Sequence, residues 1–340
     1  MPVSAISNAA VIDVHAHVVL AQTMGAAGAL GPELGADAEG RPWFRVGNYQ
    51  LNGVRYAGGP FMDVDVRLAR MAERGIDFQV LSPNPLTYLH HIDAPAAVIF
   101  CRTHNDALAQ IVKARPDRLA GLAALPMQDV AAARDELARA VSDLGLWGAQ
   151  IGTDMPRALD DSAHDEFYND FVRLDVPLFI HPGPAGIDGP PGDPNLRRFD
   201  LDVVIGFAAQ ETIAVASLIF GGVIDRHPAL DVCLSHGAGS SAYLSGRLAQ
   251  AGRRRPWAPQ ALKADGAFEE RLKRIWMDTH LNSGRSLSLL SETVGTERLV
   301  YGTNFAGWDE PEGGHGALGA PPYLADNARR LLRAARRGPA

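Results

Sequence analysis

Eight apolar segments of strand character, each followed by a helical pattern, leave this chain few folds to choose from. The strands read as 11–17, 78–83, 119–125, 148–151, 177–181, 231–236, 274–278 and 299–302. Helical spacing fills 63–74, 94–114, 129–144, 164–174, 203–226, 239–250, 266–273, 286–294 and 323–336. Arg253, Arg254 and Arg255 read as a basic loop before the helix at 266–273. Strands that alternate with helices pair in parallel, and eight such units close most naturally into a TIM-type (β/α)8 barrel. No composition break divides the 340 residues, so the expectation is one α/β domain over 1–340. Loop insertions at about 21–60 and 182–200 would sit at its C-terminal face. Trp43, Phe44, Tyr49 and Tyr56 give the first insertion apolar anchors. An open doubly wound sheet is the alternative, and the G-x-G-x-x-G turn that would mark one is missing after the strands.

A barrel of this kind puts its chemistry where strands end. His15 and His17 stand one residue apart on the first strand, and period-two alternation sends both side chains to one face. His181 ends the fifth strand, His236 the sixth and Asp278 the seventh, and Asn304 follows the eighth by two residues. Three imidazoles converging at one mouth satisfy the protein ligand count of a catalytic zinc-type centre. The net charge of −7 argues against nucleic acid or an anionic membrane as a bulk partner. Two cysteines in apolar surroundings, Cys101 and Cys233, fit a reducing compartment, and the first twenty residues lack a basic leader. No uninterrupted apolar run of bilayer length is evident. The expectation is a soluble cytoplasmic protein.

The chain resembles the amidohydrolase superfamily, in the branch similar to α-amino-β-carboxymuconate-ε-semialdehyde decarboxylase. The stretches that carry the resemblance follow family order. They are Asp13-Val14-His15-Ala16-His17, Leu125-Pro126-Met127-Gln128, Gly148-Ala149-Gln150-Ile151-Gly152-Thr153 and Phe179-Ile180-His181-Pro182. Further on come Glu211-Thr212, Cys233-Leu234-Ser235-His236-Gly237, Gly246-Arg247-Leu248 and Tyr301-Gly302-Thr303-Asn304. The resemblance implies that His15, His17 and His181 bind one divalent metal ion, Zn²⁺ in the first place and Mn²⁺ as the other candidate. It implies that His236 activates water at that metal. Arg247 matches an arginine that reaches the substrate carboxylate of a neighbouring subunit, which implies a homodimer, and Arg55 matches one contributed by the first long loop. Glu211 and Asp278 are expected to support the histidines from behind, as outer-shell carboxylates do.

Asn304 departs from the pattern, because the family has aspartate there as a metal ligand. An amide oxygen can coordinate, but it brings no charge and transfers no proton. Asp309, five residues on, is a candidate substitute, and His280 is a candidate wall residue. Three functional readings follow. The first is a metal-dependent, non-oxidative decarboxylase of a small unsaturated or aromatic carboxylic acid. The second is a hydrolase or hydratase of a lactone, ester or enol acid on the same fold. The third is a metal-poor binding protein. Trp43, Tyr56, Tyr88, Phe305 and Trp308 suggest a planar ligand.

Overall fold

The computed structural model describes residues 5–184, 193–311 and 320–336. A short helix α1 (Ala5–Asn8) leads into β1 (Ile12–Val18). The first insertion then folds as an antiparallel sheet of β2 (Glu33–Ala36), β3 (Pro42–Val46) and β4 (Tyr49–Asn52). After it come α2 (Val64–Glu73), β5 (Phe78–Pro83), α3 (Ala94–Ala114), β6 (Leu119–Gly121), α4 (Val130–Ser142), β7 (Ala149–Gly152), α5 (Asp165–Leu174) and β8 (Leu178–His181). The second half runs α6 (Leu201–Val204), α7 (Gly206–Phe220), α8 (Val223–Arg226), β9 (Val232–Leu234), α9 (Ser241–Arg254), α10 (Ala267–Leu272) and β10 (Trp276–Asp278). It ends with α11 (Gly284–Val294), β11 (Leu299–Val300) and α12 (Pro322–Leu331).

Eight of the strands form a closed parallel barrel. Pairing runs β1-β5-β6 on one arc and β7-β8-β9-β10-β11 on the other. Ala123 bridges the arcs on one side, accepting from Gln150 N–H and donating to Gly148 O at 2.9 Å each. On the other side Val14 N–H donates to Tyr301 O at 3.0 Å, which joins β11 to β1. Each strand neighbours its sequence successor, as the (β/α)8 reading requires. Asp63, Asp93, Asp129 and Ser283 cap α2, α3, α4 and α11 by accepting first-turn backbone N–H groups, which fixes where each helix starts.

Several boundaries differ from the sequence expectation for local reasons. The helix expected over 203–226 is three pieces, broken at Ile205 and at Gly221-Gly222, where Gly222 takes φ 78°. Arg253 and Arg254 lie inside α9 rather than in a loop. His236 follows β9 and opens a 3-10 turn with φ 44°. The first insertion is a folded cap whose Phe44, Val46 and Tyr56 pack with Leu86, Leu89 and Phe100. Of the expected insertion over 182–200, residues 185–192 lie outside the described residues. Leu201–Phe220, although interrupted by Asp202, Gln210 and Glu211, is long and apolar enough to cross a bilayer by length and composition alone. In this fold Ala214, Val215, Leu218 and Ile219 of that stretch pack into the barrel's helix layer.

Candidate metal and catalytic centre

The strand that carries His15 and His17 is irregular at that point. Asp13 pairs with Gln79 and Ala16 with Leu81, so β1 holds one residue more than β5 between the two pairs. A bulge of this kind re-aims side chains beside active sites. Below it, buried Asp13 accepts from His15 N–H at 3.0 Å, Gln79 Nε2 at 2.9 Å and Thr303 Oγ1 at 2.8 Å. Buried Arg67 donates to Gln79 Oε1 and to His17 O at 2.6 Å each. This network holds β1, β5 and the 303–305 segment as one platform. Burial pushes the Asp13 carboxyl up to about 6 and brings the Arg67 guanidinium down to about 9.

Four imidazoles meet above it. The His15 ring lies 5.1 Å from His17, 5.0 Å from His181 and 4.9 Å from His236, and His17 lies 4.7 Å from His181. Every one of these rings is anchored through Nδ1. His15 bonds Asp278 Oδ2 at 2.8 Å, His17 bonds Pro83 O at 3.0 Å, His181 bonds Pro182 O at 2.7 Å and His236 bonds Glu211 Oε1 at 3.0 Å. With Nδ1 engaged, Nε2 is the donor each ring has left to offer, the arrangement metal-binding histidines adopt. The Nε2 atoms of His15 and His17 are buried without a partner, a costly state that a cation would relieve. Nitrogen atoms of His15, His181 and His236 lie within 4.8 Å of one another. By that distance His236, rather than His17, completes a trio, while the rings of His15, His17 and His181, 4.7–5.1 Å apart, also suit one divalent ion.

The charge states divide the four. Burial, reinforced by neighbouring imidazoles, holds His15 and His181 well below the usual histidine value. Burial also takes His17 down to about 3. These three are neutral near pH 7, as ligation requires. For His236 burial acts the same way, but the charge and hydrogen bond of Glu211, together with the charges of Asp278 and Asp309, outweigh it and lift the ring to about 9. Glu211, raised above the usual range by burial, also accepts from Ser235 Oγ.

Asn304 and its surroundings complete the floor of a cavity of about 520 Å³. The cavity is lined by His17, His181 and Asn304, by the cap residues Tyr49, Leu51 and Tyr56, and by Phe61, Phe207 and Trp308. Asp309 Oδ1 accepts from Asn304 Nδ2 at 2.6 Å and Asp309 Oδ2 bonds His280 Nε2 at 3.0 Å. Burial opposes its charge, but the hydrogen bonds from His280 and Asn304 and the charges of His280 and His236 together outweigh it and hold the Asp309 carboxyl at about 2.

Not every expected residue arrives here. Arg55 and Arg247 are exposed, and neither lines the cavity. Tyr56 and Trp308 line it, whereas Phe305 is fully buried with Arg67 5.2 Å from its ring, Trp43 packs on Arg45, and Tyr88 receives the Gln150 amide. Glu211 sits inside α7, and Phe207 on the same helix lines the cavity, a role that its sequence context does not signal. His227 bonds Asp165 and Asn169 in a turn, and Cys101 and Cys233 are buried thiols.

The sequence signature of the amidohydrolase family matches residues 12–334. A 2-amino-3-carboxymuconate-6-semialdehyde decarboxylase of Dictyostelium discoideum is 30% identical over 72% of this chain and 66% of its own length, just under two thirds. A gamma-resorcylate decarboxylase of Rhodococcus jostii is 31% identical over 71% of this chain and 76% of that protein. A crystal structure of 2,6-dihydroxybenzoate decarboxylase complexed with 2,6-dihydroxybenzoate superposes with a TM-score of 0.67 at 27% identity, covering 80% of this chain and 89% of the other. A dihydroxybenzoic acid decarboxylase from Polaromonas, solved with manganese and 2-nitroresorcinol, superposes at 0.73 with 22% identity over 96% and 97% of the two chains.

Proposed function

The chain belongs to the amidohydrolase family, and from that premise we propose that it is a metal-dependent, non-oxidative decarboxylase of a small aromatic carboxylic acid. The observation that carries this reading is the division among the strand-end imidazoles: three neutral rings, and a fourth kept charged by a buried carboxylate. His15, His17 and His181 hold the cation, with Asn304 beside them. A divalent ion bound there supplies Lewis acidity to the oxygens of the substrate. Zn²⁺ is favoured by imidazole donors, and Mn²⁺ is the alternative, being the ion in the Polaromonas protein.

The chain's own groups account for the proton. His236, protonated on Nε2 and steadied through Nδ1 by Glu211, donates to the ring carbon that bears the carboxylate. The bond between that carbon and the carboxylate then breaks, its electron pair returns to the ring, and CO₂ leaves. The imidazole recovers its proton from solvent. Tyr49, Tyr56, Phe61, Phe207 and Trp308 provide an apolar, planar surface for the aromatic body and exclude water from it. The protein works as a homodimer, and Arg247 of one subunit serves the carboxylate in its neighbour. The two buried thiols suit the reducing interior of a cell.

The test is the product. Protein loaded with Zn²⁺ or Mn²⁺ is expected to release CO₂ from ortho-hydroxybenzoates and leave the phenol. Ring opening or hydration without CO₂ would make it a hydratase or hydrolase instead.

A further inference from the structure

We propose that Asp309 is the positioning residue that turns Asn304 into an oxygen donor for the cation, the amide and the carboxylate together replacing one anionic ligand. The inference rests on the metal reading above. Three neutral imidazoles bring no charge to a divalent ion, and hard cations favour oxygen donors and negative charge. Asn304 lines the cavity beside His17 and His181. An amide has two ends, and only one of them coordinates. The carboxylate of Asp309 accepts and cannot donate, so Asn304 presents its NH₂ to it, at 2.6 Å. The amide oxygen is thereby the end left for the cavity. A carboxylate behind the NH₂ also draws electron density toward that oxygen, as linked hydrogen bonds polarise one another.

The backbone is folded to make this contact. Asn304 takes φ 48°, a left-handed conformation that asparagine tolerates better than most residues. Gly307 N–H donates to Asn304 O at 2.7 Å, and a Cβ on Gly307 would lie 2.5 Å from Asn304 Nδ2. Glycine is thus required for the loop to bring Asp309 back. Asp309 is held from two further sides, by His280 Nε2 on Oδ2 at 3.0 Å and by Asn282 Nδ2 on its backbone oxygen at 2.9 Å. Before the loop, Thr303 donates to Asp13, and just after Asn304 the Phe305 N–H donates to His15 O at 3.2 Å. Asn304 is clamped to the strand that carries His15 and His17, and Asp309 sets which way its amide faces.

Calorimetric titration of the metal-free full chain with Mn²⁺ tests this without relying on turnover. Asp309→Asn is expected to weaken binding about 10- to 100-fold, the usual effect of removing an outer-shell partner. Asn304→Asp is expected to bind more tightly than wild type. In that background Asp309→Asn is expected to cost no affinity, because the charge now stands at position 304. The idea is overturned if Asp309→Asn binds Mn²⁺ as wild type does, or if it costs the same factor in both backgrounds. Unchanged affinity in Asn304→Asp overturns it as well. If Asp309→Asn lowers the melting temperature of the metal-free protein, the double variant still decides: restored affinity in an equally destabilised protein supports the proposal, and unrestored affinity overturns it. Wild-type protein that takes up neither Mn²⁺ nor Zn²⁺ overturns the metal reading itself, a result distinguishable from all of these.

Discussion

His236 and His17 sit in one cluster, yet the groups behind them prepare them for opposite tasks. Pro83 O offers His17 only a neutral acceptor, whereas Glu211 offers His236 a buried negative charge. A group whose folded pKa is raised stabilises the fold below its unfolded value and loses that contribution as pH passes through the folded one. For His236 the window runs from about 6.5 to about 9. In metal-free protein, Glu211→Gln should therefore be less stable than wild type by roughly 2–3 kcal/mol near pH 6, a gap that closes by about pH 9.5. Denaturant titrations across that range check it, and a gap independent of pH would mean that the pair is not charged. Proton counting adds a second check. Metal uptake by three rings already neutral at pH 7 should release almost no protons, while recruitment of His236 as a ligand would release close to one. Titration in buffers of different ionisation enthalpy distinguishes the two. The sequence made His15, His17, His181 and His236 legible because strand ends in a barrel converge by construction. It could not show that Asp309 reaches back to Asn304 and His280, since that contact depends on the left-handed turn at 304–307.

The eight strands and most helices could be read from hydrophobic period and capping residues such as Asp63 and Asp129. Less legible was whatever tertiary contact decides. The bulge in β1 comes from pairing with β5, and the break after α7 comes at Gly221-Gly222, glycines that composition alone would tolerate within a helix. The cap is another such case: its strands are short, and Tyr49 O–H joins it to the far rim by donating to Asp202 at 2.7 Å. Tyr49→Phe should loosen that closure. We expect KM to rise several-fold with a melting temperature within a few degrees of wild type, because one partly exposed hydrogen bond contributes about 1 kcal/mol. Unchanged KM would show that the cap closes without it. The platform below the histidines should respond more severely. Arg67→Ala leaves Gln79 Oε1 and His17 O without their donor and should cost about 3–5 kcal/mol by denaturant unfolding. A loss under 1 kcal/mol would contradict the role given to that network.

Across the whole molecule, the barrel's outer surface is not uniformly polar. Ile205, between α6 and α7, and Ile213 on α7 expose large apolar side chains, as does Tyr243 on α9. Arg247 stands one helical turn from Tyr243, so a second copy docked on α9 would take that arginine into the interface. Sedimentation should give a dimer, and Tyr243→Asp with Ile213→Glu should give a monomer with much reduced turnover. A fully active monomer would remove Arg247 from the chemistry. Which imidazoles hold the cation is answered most directly by metal content. Wild type and His236→Ala, prepared without chelators, should each carry about one equivalent of divalent ion, the latter without activity, while His17→Ala should carry less than about a tenth. A metal-free His236→Ala beside a loaded His17→Ala would contradict the assignment.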